Sequence, residues 1–242
     1  MRNLTLADLR SLERRTLQAI SEIADFSAIL ITPDPVRNYR TTINEHSGGV
    51  NVHLSFEIDI RLRADVRKTV LKRRVDVGAL VRSSSDGKSI DSASYSLIIC
   101  KKLNPSTSAI IRKMHFDFEP GRLRNPTEPK PSTHLQICGL FSAANLRMGY
   151  RPTSIDRWYP DFEKPRIPGI PTTLALLINW LLLEFQTDRS ARAILTNGRW
   201  RALIGEAEKL VLRPFFQEAA DYFSVNQPTN HRFLENYVYE VP

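Results

Sequence analysis

The clearest pattern in the chain is a strict alternation of apolar and polar residues over positions 50–63. The apolar members are Val50, Val52, Leu54, Phe56, Ile58, Ile60 and Leu62. In an extended strand every second side chain lies on the same face. This run therefore predicts a half-buried strand of an antiparallel sheet. Shorter alternating runs over 75–81 and 93–99 predict neighbouring strands.

Apolar residues recur at the helical period towards both ends of the chain. Residues 5–25 predict a helix in which Thr5 is the N-cap. Residues 172–186 predict a second helix, and residues 199–224 predict one kinked helix or two, because Pro214 cannot occupy an undisturbed helix interior. Residues 32–49 contain two prolines and a Gly-Gly pair, which predicts a loop.

These elements predict an α+β fold: a mostly antiparallel sheet with an N-terminal helix and a helical C-terminal third. The length of 242 residues suits one large domain or two small ones. We expect a helix-and-sheet domain over 1–150, a proline-rich connection over 151–171 and a helical segment over 172–242 packed on the sheet. A single domain overall also fits.

Charge and composition limit the classes of function. The net charge of +8 favours nucleic acid, an anionic substrate or an acidic partner. Two cysteines do not make a disulfide framework, which favours a reducing, cytoplasmic setting. The longest apolar run, over 174–183, is much shorter than the roughly 20 residues of a bilayer span, so we expect a buried helix and no membrane association. The N-terminus carries no signal-peptide pattern.

The candidate chemistry lies in two short runs that both predict strands. His115, Asp117 and Glu119 alternate in the first run, and His134, Gln136 and Cys138 alternate in the second. If the two runs pair as a hairpin, two imidazoles, two carboxylates and an amide meet on one surface. The connection over 120–133 holds four prolines and would overhang the end of this hairpin.

Histidine beside a carboxylate suits general acid–base chemistry, because imidazole titrates near neutral pH. The hypothesis assigns His115 and His134 as acid and base, one activating a nucleophile and the other protonating the leaving oxygen, with Asp117 orienting His115 and Glu119 assisting or binding a metal. Gln136, with Arg112 or Lys113, would contact phosphoryl oxygens. A basic cluster between Arg61 and Arg74 would hold a nucleic-acid backbone; its predicted contacts are Arg61, Arg63, Arg67, Lys68 and Arg73.

Other interpretations of the same residues stay open. The histidines can be ordinary polar-face residues bonded to the carboxylates, and the basic cluster can be a solvated strand face. His115, Asp117, Glu119 and His134 could instead bind Mn²⁺, Mg²⁺ or Zn²⁺, with Cys138 as a further zinc ligand. No nucleophile elbow and no phosphate-binding glycine loop is present, which argues against a serine hydrolase or an NTPase.

The pattern His115-x-Asp117 with His134-x-Gln136-x-x-Gly139 resembles poorly characterised small proteins of bacterial toxin and phage-defence loci. The stretch Pro165-Arg166-Ile167-Pro168 before an apolar helix adds to this resemblance. It implies a defence setting and transfers no specific activity. The two histidines are also similar to those of the two-histidine phosphoesterases, whose His-x-Thr or His-x-Ser pattern is here replaced by Asp117 and Gln136.

Two functional hypotheses follow. The first is cleavage or modification of a phosphodiester, directed at nucleic acid, by the two-histidine and carboxylate site. The second is a non-catalytic subunit of a larger assembly, such as a bacterial defence complex, that binds nucleic acid or docks to a protein partner through its C-terminal helices. A structural or antitoxin-like protein is a third reading.

Overall fold

The described part of the chain comprises eleven segments of a computed structural model. They are residues 4–36, 40–44, 47–61, 70–84, 88, 90–104, 107–118, 133–137, 150–151, 167–184 and 188–225. Helix α1 (Leu6–Glu22) comes first and is followed by a short 3-10 turn (Ala24–Ala28). Eight strands come next, and the C-terminal helices follow them.

The strands form one sheet in which most neighbours are also sequence neighbours. Its order is β1-β2-β3-β4-β5-β6-β8, every pair on this path is antiparallel, and β7 pairs with β5 in parallel. The strands are β1 (Arg40–Asn44), β2 (Ser47–Arg61), β3 (Val70–Ser83), β4 (Ile90–Asn104), β5 (Thr107–Phe118), β6 (Thr133–Ile137), β7 (Tyr150–Arg151) and β8 (Ile167–Pro168). The predicted α+β class and the antiparallel sheet are confirmed.

Helix α1 begins where the sequence predicts. The Thr5 hydroxyl oxygen accepts a hydrogen bond from the Asp8 amide at 3.1 Å, and the same hydroxyl donates to the Asp8 carboxylate at 2.6 Å. This reciprocal cap satisfies an amide that the first helical turn leaves without an intrahelical acceptor. The apolar stripe of α1 is buried against the sheet and the C-terminal helices.

Four helical segments make up the C-terminal part of the described chain. They are α2 (Leu174–Glu184), α3 (Arg189–Thr196), α4 (Gly198–Ala207) and α5 (Arg213–Val225), with a π-helical turn (Glu208–Leu212) between the last two. Asp188 caps α3 and Asn197 caps α4, each by accepting two amide hydrogen bonds. Pro214 has no amide proton, so one helical hydrogen bond is lost there, as the sequence predicts. The wider π-helical turn just before Pro214 accommodates this loss.

One apolar core joins α1, the inner face of the sheet and α2 to α4. The largest fully buried side chains include Trp200, Tyr95, Phe26 and Phe56. Trp200 packs edge-on against Phe26, with ring centroids 5.1 Å apart, and donates its indole N–H to the Asn179 amide oxygen at 3.0 Å. In the described ranges, no helix is long and apolar enough to cross a membrane.

Two predictions from the sequence pattern are corrected. The span 32–49 is not all loop, because β1 and the first residues of β2 form a hairpin there, and Gly48 and Gly49 pair within it. Residues 189–196 form α3, which the sequence pattern does not predict. Residues 120–132 of the connection that holds four prolines lie outside the described residues.

Candidate functional site

The two histidine-bearing strands pair in the predicted hairpin register. Asp117 lies directly opposite His134, and His115 lies directly opposite Gln136. Directly opposed residues on paired strands share a face of the sheet. The helix-facing side of β5 carries Met114, Phe116 and Phe118, which pack on the core. The polar groups therefore lie on the face of the sheet that points away from the helices.

The pairing extends this polar face into two rows that cross five strands. The first row consists of His53, Gly78, Ser96, His115 and Gln136. The second row consists of Asn51, Leu80, Ser94, Asp117 and His134. Both rows are exposed at the β2 end, and the second row becomes buried at the β6 end. The site is therefore open towards β2 and closed towards β6.

Gly78 shapes the middle of the first row. A Cβ atom at this position would stand 2.6 Å from the Ser96 hydroxyl oxygen, which is closer than real contacts allow. The missing side chain therefore leaves room for the Ser96 hydroxyl to lean over β3. The first row is therefore shallow and polar at Ser96, which lies two strands from His53 and one strand from His115.

Asp117 is the centre of the second row. One of its carboxylate oxygens, Oδ2, lies 3.4 Å from His134 Nε2, and Asp117 also accepts a hydrogen bond from the Ser94 side chain. Burial by itself raises the pKa of this carboxyl group, but the bonds from His134 and Ser94 and the charges of both histidines outweigh it. The net pKa of Asp117 is lowered, so the group is ionised at neutral pH.

His115, in contrast to Asp117, favours its neutral form. Burial lowers the pKa of its imidazole, the nearby Lys113 ammonium lowers it further, and the charge of Asp117 opposes both effects only in part. The imidazole is therefore neutral at physiological pH and able to accept a proton. The sequence pattern assigned the Asp117 carboxylate to orienting His115. In the structure this carboxylate contacts His134, and it affects the pKa of His115 through its charge.

The His134 side chain is enclosed, and strand β8 helps to enclose it. Its side chain is only 1% exposed, against 17% for that of Asp117. The backbone of β8 pairs with β6 at this residue, with His134 opposite Pro168, and the Gly169 amide donates to the Thr133 carbonyl at 3.1 Å. A Cβ on Gly169 would stand 3.2 Å from the Leu135 nitrogen, so this close approach depends on glycine.

The structure brings together some of the predicted substrate contacts. Lys113 lies two residues before His115 on the same strand, and Gln136 is partly exposed opposite His115. The backbone of Arg112 pairs with Ile99, which belongs to the helix-facing side of β4. The next residue, Lys113, belongs to the polar face, so it is better placed than Arg112 to contact a substrate there. Glu119 and Cys138 lie outside the described residues.

The predicted basic cluster is only partly described. Arg63, Arg67 and Lys68 lie outside the described residues, and of Arg61 only the backbone is described. Arg73 is half-buried opposite Ile58, on the helix-facing side of β3. Its neighbour Arg74 lies on the polar face.

Arg74 is engaged in a contact that the sequence pattern did not reveal. Its Nε donates to the Asp76 carboxylate at 2.9 Å, and Asp76 also accepts a hydrogen bond from the Ser55 hydroxyl. Asp76 is almost fully buried. The same face carries a small apolar cluster of Ile98, Cys100 and Ile110, and burial raises the pKa of the Cys100 thiol to about 12. Cys100 is therefore a packed, unreactive thiol at neutral pH.

The metal hypothesis gains no geometric support from the described ranges. No group of three histidine, cysteine, aspartate or glutamate side chains there is arranged to hold an ion. Two of the five ligands proposed from sequence, Glu119 and Cys138, are not among those residues.

Two site residues, Ser94 and Ser96, were missed by sequence reasoning. They lie on β4 opposite Asp117 and His115. Their signal was the polar half of an alternating run, in which small serines look like ordinary surface positions. Only the register of β4 against β5 distinguishes them from other serines.

Comparison with known proteins adds no relative. No protein-family model matches the chain, and no curated protein or solved structure matches it.

Proposed function

We propose that this protein cleaves or modifies a phosphodiester, in nucleic acid, at the polar face of β4, β5 and β6. The observation that carries the proposal is the pair of rows that places a neutral imidazole, His115, beside the linked Ser94, Asp117 and His134. Titratable groups with shifted pKa values that cluster on one face are typical of functional sites.

His115 is the general base of the proposal. Its imidazole is only partly buried, and its lowered pKa leaves one ring nitrogen unprotonated at neutral pH, so that nitrogen accepts a proton from an attacking water or hydroxyl group. The attacking oxygen forms a bond to phosphorus, the bond from phosphorus to the leaving oxygen breaks, and the leaving oxygen takes a proton from solvent water. Proton transfer of this kind contributes roughly 10²- to 10⁴-fold to a rate.

Asp117 and His134 form the fixed part of the site. Because the His134 side chain is almost fully buried, we assign it to positioning the Asp117 carboxylate rather than to touching a substrate. The hypothesis that His134 is one member of an acid and base pair stays a prediction, and it requires β6 or β8 to move aside.

The anionic substrate class is supported by charge. The chain carries a net charge of +8, and Lys113 lies on the same face as His115. Gln136, opposite His115, offers an amide N–H to a phosphoryl oxygen. A cationic side chain and an amide beside a neutral base suit a phosphodiester better than a neutral ester.

The test compares His115→Gln with a matched control, His53→Gln, in the same row of the sheet. Both proteins are incubated with single- and double-stranded RNA and DNA and with a chromogenic phosphodiester, with and without EDTA. We expect His115→Gln to lose at least 100-fold in rate while its thermal midpoint stays unchanged, and His53→Gln to retain activity. Activity that is unchanged in His115→Gln, or hydrolysis by no preparation on any substrate, contradicts the proposal.

A second candidate function is a non-catalytic subunit that docks to a protein partner. The observation that favours it is the outward side of α2, where Trp180 is 38% exposed and Leu183 is 47% exposed. Large aromatic side chains of this kind are enriched at protein interfaces. The almost complete burial of His134 also fits a structural role for the hairpin histidines.

Co-purification separates the two candidates. A complex of fixed stoichiometry that Trp180→Glu dissociates, from a protein without hydrolytic activity, favours the subunit. A protein that remains monomeric and loses phosphodiester cleavage on His115→Gln favours the enzyme. Binding to nucleic acid that weakens steeply with salt, without cleavage, indicates phosphate contacts of a binding subunit.

A further inference from the structure

A buried carboxyl group lies on the other side of the sheet, away from the polar rows. Glu13 of α1 is fully buried in the core. Its Oε1 accepts a hydrogen bond from the Tyr95 hydroxyl of β4 at 2.8 Å and another from the Leu174 amide of α2 at 3.1 Å. One oxygen atom therefore joins three elements, and two of them are 161 positions apart in the chain.

The contact with α2 is made at a sensitive point. Leu174 is the first residue of α2, and the first four amides of a helix have no acceptor within the helix. Glu13 supplies that acceptor from a different helix, in the way a capping side chain would. The second oxygen, Oε2, is buried and has no hydrogen-bond partner among the residues that the structure describes.

An unpartnered buried oxygen is tolerable on a neutral carboxylic acid and costly on a carboxylate. Transfer of an ionised carboxylate from water to an apolar interior is strongly unfavourable unless the charge is paired. Both groups that Glu13 contacts, a phenol and an amide, are neutral donors. No counter-charge is built into this contact.

We propose that Glu13 is a protonation-controlled latch on α2. With its proton, the carboxyl group sits neutral in the core and holds the first turn of α2 against α1 and β4. When the proton leaves, the buried charge favours separation of the α2 N-terminus from α1, so that water reaches the carboxylate.

The charged and titratable groups around the latch do not supply an alternative trigger. From β4 the facing group is Tyr95, whose pKa is raised well above its ordinary range by burial and by Glu13. Helix α2 carries no ionisable residue before Glu184 at its far end. On α1, Arg10 lies one turn before Glu13, and α4 keeps Arg199, Arg201 and Glu206 at the surface.

Burial raises the pKa of Glu13 to about 7, against hydrogen bonds from Leu174 and Tyr95 that lower it. The latch would therefore release across the physiological range. Helix α2 also packs on the strand that carries His115 and Asp117, since Trp180 meets Phe116 edge-on with centroids 6.4 Å apart. Movement of α2 would thus reach the opposite face of the sheet through β5.

Hydrogen exchange of the Leu174 amide tests the latch directly. The full-length protein is followed from pH 5 to pH 8, and rates are corrected for intrinsic exchange. We expect the opening constant at Leu174 to rise by roughly one to two orders of magnitude over this range in the wild type. Glu13→Gln, which cannot ionise, should remove the pH dependence, while the exposed control Glu184→Gln should retain it.

A carbon-13 titration of the Glu13 carboxyl group in the unmodified protein supplies a measurement that no variant can compromise. A midpoint near 7, with Leu174 protection lost at the same pH, supports the latch. A midpoint near the ordinary value of 4.5, or equal pH dependence at Leu174 in Glu13→Gln and the wild type, would overturn it.

Discussion

Two carboxyl groups on opposite sides of the same sheet have pKa values that are shifted in opposite directions. Glu13 lies on the helix-facing side, where burial raises its pKa to about 7. Asp117 lies on the polar side, and its pKa is lowered although burial opposes ionisation there as well. Adjacent residues of β4 bond to the two groups: Tyr95 donates to Glu13 on one face, and Ser94 donates to Asp117 on the other.

The two groups differ in their partners as well as in depth, since Glu13 is fully buried and the Asp117 side chain is 17% exposed. Glu13 is held by a phenol and a backbone amide, which donate hydrogen bonds without opposing its charge. Asp117 has a hydroxyl and two imidazoles around it, and both imidazoles favour its ionised form. The sheet therefore keeps a neutral acid on one face and a carboxylate on the other.

The largest expected effect comes from removing the carboxylate of the polar face. Asp117→Ala removes the carboxylate that faces the buried His134 imidazole, and we expect a loss of about 3 kcal/mol in the free energy of unfolding at pH 7. Urea denaturation measures it, with the exposed Glu184→Gln as control. A loss below about 0.5 kcal/mol, the scale of ordinary surface changes, would mean that the pair contributes nothing to the fold.

The second effect is a pH profile of opposite sign on the two faces. The folded pKa of Glu13 lies above its ordinary value, so its stabilising contribution is complete below about pH 4.5 and is lost as pH rises through about 7. Glu13→Gln should therefore be more stable than the wild type by about 2 kcal/mol at pH 8 and similar to it at pH 5.

Asp117 should show the reverse. Its folded pKa is lowered, so its contribution is present above the ordinary carboxyl range and is lost as pH falls through the folded pKa. Unfolding curves of Asp117→Asn and the wild type should therefore converge in acid. If they stay parallel down to pH 2, the carboxylate is not stabilised by its neighbours.

Tyr95→Phe sharpens the comparison on the inner face. It removes the phenol that donates to Glu13, which should cost about 1 kcal/mol and raise the pKa of Glu13 further. Denaturation at pH 5 gives the first quantity, and the carboxyl titration gives the second. An unchanged Glu13 midpoint would show that the phenol contributes no stabilisation to the carboxylate.

The smallest effect is expected from Ser94→Ala, the matching change on the outer face. Loss of one hydroxyl donor to Asp117 should cost about 1 kcal/mol or less, because His134 still faces the carboxylate. The pKa of Asp117 should rise towards its ordinary value. An unchanged pKa of Asp117 would mean that the histidines, and not Ser94, cause its shift.

The alternation of apolar residues was sufficient to predict the long central strands of the sheet, whereas β1 lies in a span for which the sequence predicted a loop. Each long strand carries its own period-two signal, and each pairs with its neighbour in sequence. The same alternation placed His115, Asp117, His134 and Gln136 on one face before any pairing was known. Helix α1 was equally predictable, because its apolar stripe and the Thr5 cap agree.

What the sequence did not disclose depends on contacts between distant segments. The burial of His134 follows from the return of the chain at β8 and the close approach of Gly169, and neither leaves a periodic signal. Glu13 falls on the apolar stripe of α1 and was passed over, since only the arrival of Leu174 identifies it as an internal cap. Helix α3 was missed because it is only eight residues long.

The order of the strands also bears on how the chain reaches its native state. Strands β1 to β6 follow one another across the sheet as a meander, so each new ladder closes only a modest loop. The bond between Glu13 and Leu174 spans 161 positions and requires far greater closure of the chain. We therefore expect hairpin assembly to come first and docking of the C-terminal helices on α1 to come late, which makes that docking the step at which refolding is slowest.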